Sequence, residues 1–468
     1  MRRLFSTEVA RRGSFWLCLA AAVLSSSGCF RSRSSGLPER LNVVLVVVDT
    51  LRADRLGCYG ARRNTSPALD RLARDAVRFE RAYATAPWTK PSVASIFTGL
   101  YPSAHGATSV QATLRTEVPT LAELLRKRGY RTYGVVSGLF VAAKYGFRRG
   151  FERYDQSEVG GPNHVSTPGV TEKALRFLEE AGEGPFFLFV HYFDPHYTYL
   201  RHPEVGFAPP RAGRLEGPWH ILRLRQILPT LTPEEVRFLL DLYDEEIRFT
   251  DGGIGKLVGA LEERNLLDRT LFVVTSDHGE EFLEHGWLGH TRSVYEEVLR
   301  VPLIVRVPWR RGPRARLVRT PVSTAALFAT ILELASSEGS SALPPHHVPS
   351  LGPWLRGEKG GGLPLFAEVD FEPVHIVNRA KRAKKKVLLH WPWKLVHDEL
   401  EERWELYDLE RDPFERSNLA EKRKKELAEL ERELGKLAAL ARERKTLAPQ
   451  ADLAPEELQQ LEDLGYGR

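Results

Sequence analysis

Asn42-Val43-Val44-Leu45-Val46-Val47-Val48, closed by Asp49, is the stretch from which the fold follows. A strand with one wet face alternates apolar and polar residues. This β-branched run does not, so it reads as a strand buried on both faces, the habit of parallel sheets. Phe186-Phe187-Leu188-Phe189-Val190 and Leu271-Phe272-Val273-Val274-Thr275 repeat the signature, and Tyr133-Gly134-Val135-Val136 and Leu303-Ile304-Val305 are shorter versions of it. Helical spacings lie between these runs. Ser66 is placed to cap a helix opened by Pro67, with Leu69, Leu72, Ala73, Ala76 and Val77 at helical intervals. Val118–Arg128, Thr171–Glu180 and Pro233–Arg264 read as further helices. Such alternation predicts an α/β fold: a doubly wound, mostly parallel sheet with flanking helices and right-handed crossovers.

Near Ser336 the composition turns Gly- and Pro-rich until about Pro364. Beyond it, strands at Lys386-Val387-Leu388-Leu389 and Trp404-Glu405-Leu406-Tyr407 and a charged helix from Ala420 to Arg444 predict a smaller C-terminal α+β subdomain. The bulk numbers fit a globular chain: 468 residues, 42% hydrophobic and 27% charged. The net charge of +6 is no nucleic-acid footprint, and no nucleic-acid partner is expected. Arg2, Arg3, Arg11 and Arg12 against Glu8 put +3 of it in residues 1–28. The one basic run, Lys381–Lys386, reads as a solvated face.

The three cysteines, Cys18, Cys29 and Cys58, form no CxxC pair, which excludes a zinc-thiolate site and a disulfide framework. Basic residues up to Arg11-Arg12, the apolar run Phe15–Leu24 and the small residues Ser25-Ser26-Ser27-Gly28 before Cys29 read as an export signal over 1–28. The apolar run is short for a membrane span. The Gly-Cys ending resembles a bacterial lipoprotein signal, in which the cysteine is lipidated after cleavage. The expected location is the bacterial cell envelope, with the chain exported and held to the membrane through lipidated Cys29 and a polar tether over 29–40. A soluble exported protein and an uncleaved anchor are the alternatives.

Two buried-type strands end in acids, Val48 before Asp49 and Thr275-Ser276 before Asp277-His278. Ligands of open α/β sheets gather at the carboxyl ends of strands, so both groups are candidates for one site. Two carboxylates and an imidazole suit Ca²⁺, Mg²⁺, Mn²⁺ or Zn²⁺. Trp88-Thr89-Lys90-Pro91-Ser92 puts hydroxyls at a helix start, with Pro91 in the first turn. Thr89 there faces the positive helix end, where an anionic oxygen or a bound sulfate or phosphate is stabilised.

In order and spacing, several motifs resemble the sulfatase family of the alkaline-phosphatase superfamily. They are Asp49-Thr50-Leu51-Arg52-Ala53-Asp54, Cys58-Tyr59-Gly60, Thr65-Ser66-Pro67, Pro91-Ser92-Val93-Ala94-Ser95, His191-Tyr192-Phe193-Asp194-Pro195-His196, Ser276-Asp277-His278-Gly279-Glu280, Gly289-His290 and Glu405-Leu406-Tyr407-Asp408. The resemblance spans about residues 42–420. It implies a sulfatase-like catalytic domain over 41–340 and a C-terminal subdomain over 341–468. It implies that Asp49, Thr89, Asp277 and His278 surround one divalent metal ion, Ca²⁺ first, with Mg²⁺, Mn²⁺ or Zn²⁺ as alternatives. It places Thr89 as the nucleophile, and His196 and His290 at the ester oxygens or the leaving group. The implied partner is a sulfate or phosphate ester. His105 and His285 match weaker patterns and are expected to be structural, as are Trp88 and Tyr59.

The departures bear on the chemistry. Sulfatases place Cys or Ser where Thr89 stands and oxidise it to an aldehyde, and they carry Arg where Val93 stands. Threonine cannot yield that aldehyde, because its Cβ bears a methyl group. Thr50 replaces the second acid of the usual pair, and a Lys-Trp-His stretch is replaced near Val136-Ser137-Gly138. The expectation is therefore a metal-dependent hydrolase of sulfuric or phosphoric esters working through Thr89 itself. A phospho-group transferase on envelope lipids or glycans and a catalytically silent binding protein are the competing readings.

Overall fold

In the computed structural model, described over residues 40–182, 184–215, 219, 221–308, 316–335, 348–358, 360–372, 382–442 and 448–466, β1 (Asn42–Val48) is buried at every position. Val43, Leu45 and Val47 join one hydrophobic core and Val44, Val46 and Val48 a second, so this strand feeds both faces of its sheet. The later strands are β2 (Val77–Tyr83), β3 (Arg131–Val136), β4 (Arg153–Asp155), β5 (Phe186–Tyr192), β6 (Thr270–Ser276), β7 (Glu281–Phe282), β8 (Leu288–Gly289), β9 (Arg300–Arg306), β10 (Arg316–Val318) and β11 (Val322–Ser323). The last four are β12 (Leu365–Phe371), β13 (Ala383–His390), β14 (Trp393–Asp398) and β15 (Arg403–Asp408).

The main sheet runs in the order β10-β2-β9-β6-β1-β5-β3-β4, with β11 beside β2. β1 is parallel to both β5 and β6, whereas β9 is antiparallel to β2 and β6. This is the doubly wound, mostly parallel α/β sheet expected from the alternation. Strands β12-β13-β14-β15 form a separate antiparallel sheet. Helix Lys424–Arg442 packs on that sheet, and the Glu368 N–H of β12 bonds the Thr85 carbonyl at 2.9 Å.

Several element boundaries differ from the sequence reading. The helix opened by Pro67 ends at Ala73, and Val77 begins β2. There the alternation of buried Val77 and Phe79 with less buried Arg78 and Glu80 overrides the helical interval. The helix expected from Val118 starts at Leu121, because Thr120 and Glu123 form a reciprocal capping box. The one expected from Thr171 starts at Thr167, with Pro168 in its first turn. The expected charged helix is described as Lys424–Arg442. The export segment 1–28, Cys29, the tether up to position 39 and Lys381 lie outside the described residues. Among the described residues, no helix is long and apolar enough to cross a membrane.

Candidate active site

Val48 of β1 pairs with Ser276 of β6, so Asp49 and Asp277 leave neighbouring parallel strands side by side. Asp49, Asp277 and His278 each offer a ligand atom within 4.8 Å of the others. His278 Nε2 lies 3.4 Å from Asp49 Oδ1 and 3.5 Å from Asp277 Oδ2. Thr89 is the first residue of the wholly buried helix Thr89–Thr98. Its Oγ1 is 3.4 Å from Asp49 Oδ2 and 3.4 Å from His278 Nε2. Ser92, one turn on, donates to the Asp277 carbonyl at 2.5 Å and ties the helix to the β6 loop. The ring centroids of His278 and His290 lie 4.5 Å apart at a tilt of 41°, and those of His290 and His196 lie 4.9 Å apart, edge to face. The fold thus collects all six residues singled out from the sequence, although 228 positions separate the two acids.

The histidines share one arrangement. A carbonyl oxygen, or a carboxylate in its ionised form, can only accept, so a ring nitrogen facing one is the donor. His278 Nδ1 faces the Gly279 carbonyl at 2.9 Å, His196 Nδ1 the Tyr197 carbonyl at 2.6 Å and His290 Nδ1 the Glu280 carboxylate at 2.9 Å. Each Nε2 therefore carries the lone pair in the neutral ring. That is the tautomer a metal needs at His278 and the one a proton-transfer group needs at His196 and His290.

Burial sets the electrostatics. Asp49 is pushed well above the usual carboxylate range by burial and then by the charges of Asp277 and Glu280. Burial lowers His196 to about 3, and burial followed by the neighbouring His278 and His196 holds His290 well below the usual imidazole range. Asp49 Oδ1 and Asp277 Oδ2 are buried without a hydrogen-bond partner. Two orphaned carboxylate oxygens beside a correctly tautomerised imidazole fit a divalent cation, because a positive charge removes the repulsion that raises Asp49. Thr50, where an acid was missing, has φ 55° and a buried, unpartnered Oγ1. A β-branched residue at positive φ is strained, and Tyr243 holds it by donating to the Thr50 carbonyl at 2.6 Å.

Three residues escaped the sequence reading. Glu280 orients His290, although the motif quoted for His278 already contained it. His191, fully buried at the end of β5, has both ring nitrogens unpartnered, with Nε2 3.8 Å from Asp49 Oδ2. Its ring fits because Gly138 lacks a Cβ, which would stand 2.8 Å from His191 Cε1. The strand-end rule that flagged Asp49 applies equally to His191. Tyr466, whose hydroxyl lies 2.6 Å from His290 Nε2, carries no local signal.

The contacts of the residues expected to be structural are as follows. His105 bonds the Pro91 carbonyl at 3.1 Å and the Ala107 N–H at 3.2 Å. Tyr59 donates to main-chain carbonyls of β2 and β9, and Trp88 packs edge-on against Phe140 and Phe371. His285 pairs with Glu297 at 2.7 Å, and that carboxylate, outweighing partial burial and joined by Glu415 and Glu281, raises it to about 9. A raised histidine stabilises the fold fully below its unfolded value of about 6.5, and the contribution disappears as pH rises through the folded value. His285→Gln should therefore depress Tm in melts at about pH 6 and depress it much less at about pH 10. Equal losses at both pH values would contradict the ion pair.

A doubly wound sheet thus carries an Asp-Asp-His donor set at its strand ends, with a hydroxyl at an adjacent helix start. The sulfatase family model matches residues 41–337, and a model of the C-terminal region of N-sulphoglucosamine sulphohydrolase matches residues 283–443. The chain belongs to the sulfatase family. It is 26% identical to the N-acetylglucosamine-6-O-sulfatase of Bacteroides thetaiotaomicron, over 88% of this chain and 89% of that one. It is likewise 26% identical to the choline-sulfatase of Rhizobium meliloti, over 81% and 82%. The fold is shared with the phosphonate monoester hydrolase of Agrobacterium radiobacter, at a TM-score of 0.71 and 22% identity, covering 86% of this chain and 96% of that one.

Proposed function

We propose that this chain hydrolyses sulfate or phosphate esters by attack of the Thr89 hydroxyl, with a divalent cation held by Asp49, Asp277 and His278. The observation that carries this reading is Thr89 Oγ1 at 3.4 Å from both an Asp49 oxygen and His278 Nε2, on the first residue of a buried helix. A cation in that donor set supplies positive charge that favours the ionised hydroxyl and the anionic ester. The helix opened by Thr89 puts its positive dipole end beside that hydroxyl, where it favours charge developing on the oxygens. With an anionic ester in place, His290 or His196 would have to take up a proton at Nε2 before handing it to the leaving oxygen, and Glu280 holds His290 Nδ1. An imidazole among few protein ligands moves the preferred ion from Ca²⁺, which takes six to eight oxygens, toward Mn²⁺ or Zn²⁺. The oxidised-residue route of other sulfatases is closed by the threonine methyl group. The signal over 1–28 and Cys29 support work at the bacterial envelope, on esters of lipids or glycans outside the cytoplasm.

The test is a panel of aryl sulfate, phosphate monoester and phosphate diester substrates, each with Ca²⁺, Mg²⁺, Mn²⁺ or Zn²⁺ and with chelator. At least one ester should be turned over, and chelator should abolish the turnover. Absence of turnover across the whole panel, with metal bound, would leave the silent-scaffold reading in its place.

A further inference from the structure

The two histidines at the leaving-group side already share a ligand, and it belongs to the chain itself. His290 Nε2 lies 2.6 Å and His196 Nε2 3.4 Å from the hydroxyl of Tyr466. Since both Nε2 atoms are acceptors in the neutral rings, the phenol donates to the nearer one, His290. The ring is 1% exposed, edge-on to Phe140 at 4.6 Å between centroids, with Phe371 at 6.1 Å and Trp88 at 6.4 Å. Thr89 is 2% exposed, and Asp277, His278 and His290 are fully buried. One oxygen position cannot hold both a phenol and the bridging oxygen of an ester. A substrate therefore reaches Thr89 only after Tyr466 has left.

We propose that Tyr466 is an internal pseudo-ligand: the segment 448–466 keeps the site closed, and catalysis requires it to swing out. The proposal rests on the ester-hydrolase reading of the site, with His196 and His290 at the leaving group. The segment is held by main-chain bonds, by Gln460 donating to the Gly160 carbonyl and by an ion pair. Thr113 N–H bonds the Pro449 carbonyl at 2.8 Å, Ala451 N–H the Gln111 carbonyl at 2.8 Å, and Lys144 pairs with Glu457 at 2.5 Å near the surface. Helix Pro455–Asp463 buries only Leu461, and Leu464 and Tyr466 follow it inward, with Tyr197 donating its hydroxyl to the Leu464 carbonyl. Gly465 makes that turn at φ +80°, and a Cβ there would stand 2.9 Å from both Ile221 Cγ2 and the Tyr197 hydroxyl. The slot vacated by the tyrosine is a ring-sized cleft walled by Trp88, Phe140 and Phe371, with the two imidazoles at its polar end. A planar ring bearing an ester oxygen would take the same place.

Gly465→Ala offers a test that alters no group of the site, because it makes the seated conformation strained and overcrowded while leaving Thr89, the histidines and the metal ligands intact. Tyr466→Ala removes the occupant outright, and Tyr466→Phe keeps the ring packing while losing the bond to His290. The probe is inorganic phosphate bound to the Mn²⁺-loaded full chain, measured by calorimetry alongside kcat and KM for an aryl phosphate. Gly465→Ala and Tyr466→Ala should each bind phosphate at least about tenfold more tightly than wild type and lower KM in proportion, with Tyr466→Phe between them. Limited proteolysis should cut the freed segment in Gly465→Ala sooner than in wild type. Unchanged or weaker phosphate binding in both alanine variants would overturn the proposal. So would loss of turnover in Tyr466→Ala at unchanged phosphate affinity, which would make Tyr466 part of the machinery. Tighter phosphate binding without turnover of any ester would leave the plug standing and remove the hydrolase reading beneath it.

Discussion

Thr89→Ala is expected to lower kcat by three orders of magnitude or more while leaving fold and metal content close to wild type. A tenfold loss corresponds to about 1.4 kcal/mol of barrier, so the hydroxyl is being assigned roughly 4 kcal/mol or more of transition-state stabilisation. The fold asks far less of it. The nearest contacts of Thr89 Oγ1 are two long ones of 3.4 Å, and the helix it opens takes no side-chain cap from it or from Trp88. That helix is anchored instead by its buried apolar residues and by Ser92 on the Asp277 carbonyl at 2.5 Å. Thr89→Ser should keep part of the activity, since it retains the oxygen and loses only the methyl group that fixes the rotamer. Acid quenching of wild type during turnover of a phosphate ester should trap a phosphate on the peptide containing Thr89, and the alanine variant should show none. Wild-type rates in Thr89→Ala would move the attack to a water molecule and remove the covalent step.

What the sequence disclosed and what it hid have physical causes. β1, β5 and β6 were legible because a strand buried on both faces must be apolar throughout, so its whole environment is written in consecutive residues. Asp49 and Asp277 were legible because a carboxylate directly after such a strand emerges at the carboxyl edge of the sheet. β2 was hidden because Ala76 and Val77 satisfy a helical interval as well as a strand alternation. β14 was hidden because its Lys394 is a fully buried cation, paired with Glu415 at 2.8 Å and Glu296 at 3.3 Å, which breaks the apolar pattern that announces a strand. Tyr466 was the least legible. It meets His290 across 176 positions, and neither its neighbours nor its spacing differ from those of a surface helix end.

Asp277→Asn is expected to abolish stoichiometric metal binding and, with it, the thermal stabilisation that metal gives wild type. Asparagine suits this test better than alanine. Asp277 Oδ1 accepts the His278 N–H at 2.9 Å and the Thr50 N–H at 3.3 Å, and the amide oxygen preserves those bonds while the negative charge is lost. A cation that binds only the folded chain stabilises it by RT ln(1 + [L]/Kd), about 4 kcal/mol at roughly 1,000 times Kd. In wild type, saturating Mn²⁺ or Zn²⁺ should therefore raise Tm clearly, and chelator should reverse the rise. The metal-free proteins should rank the other way. Without a cation, Asp49 Oδ1 and Asp277 Oδ2 both lie buried beside His278 Nε2 with no hydrogen-bond partner, and burial together with the Asp277 charge penalises ionised Asp49. Removing one of the two charges relieves that repulsion, so Asp277→Asn in chelator should melt at or above wild type in chelator. In saturating metal it should melt below wild type. This crossing of the two melting orders is what separates a metal centre from an ordinary buried polar cluster, in which the variant would be the less stable protein under both conditions. Elemental analysis decides the same point directly: one equivalent of metal retained by Asp277→Asn would remove this aspartate from the ligand set.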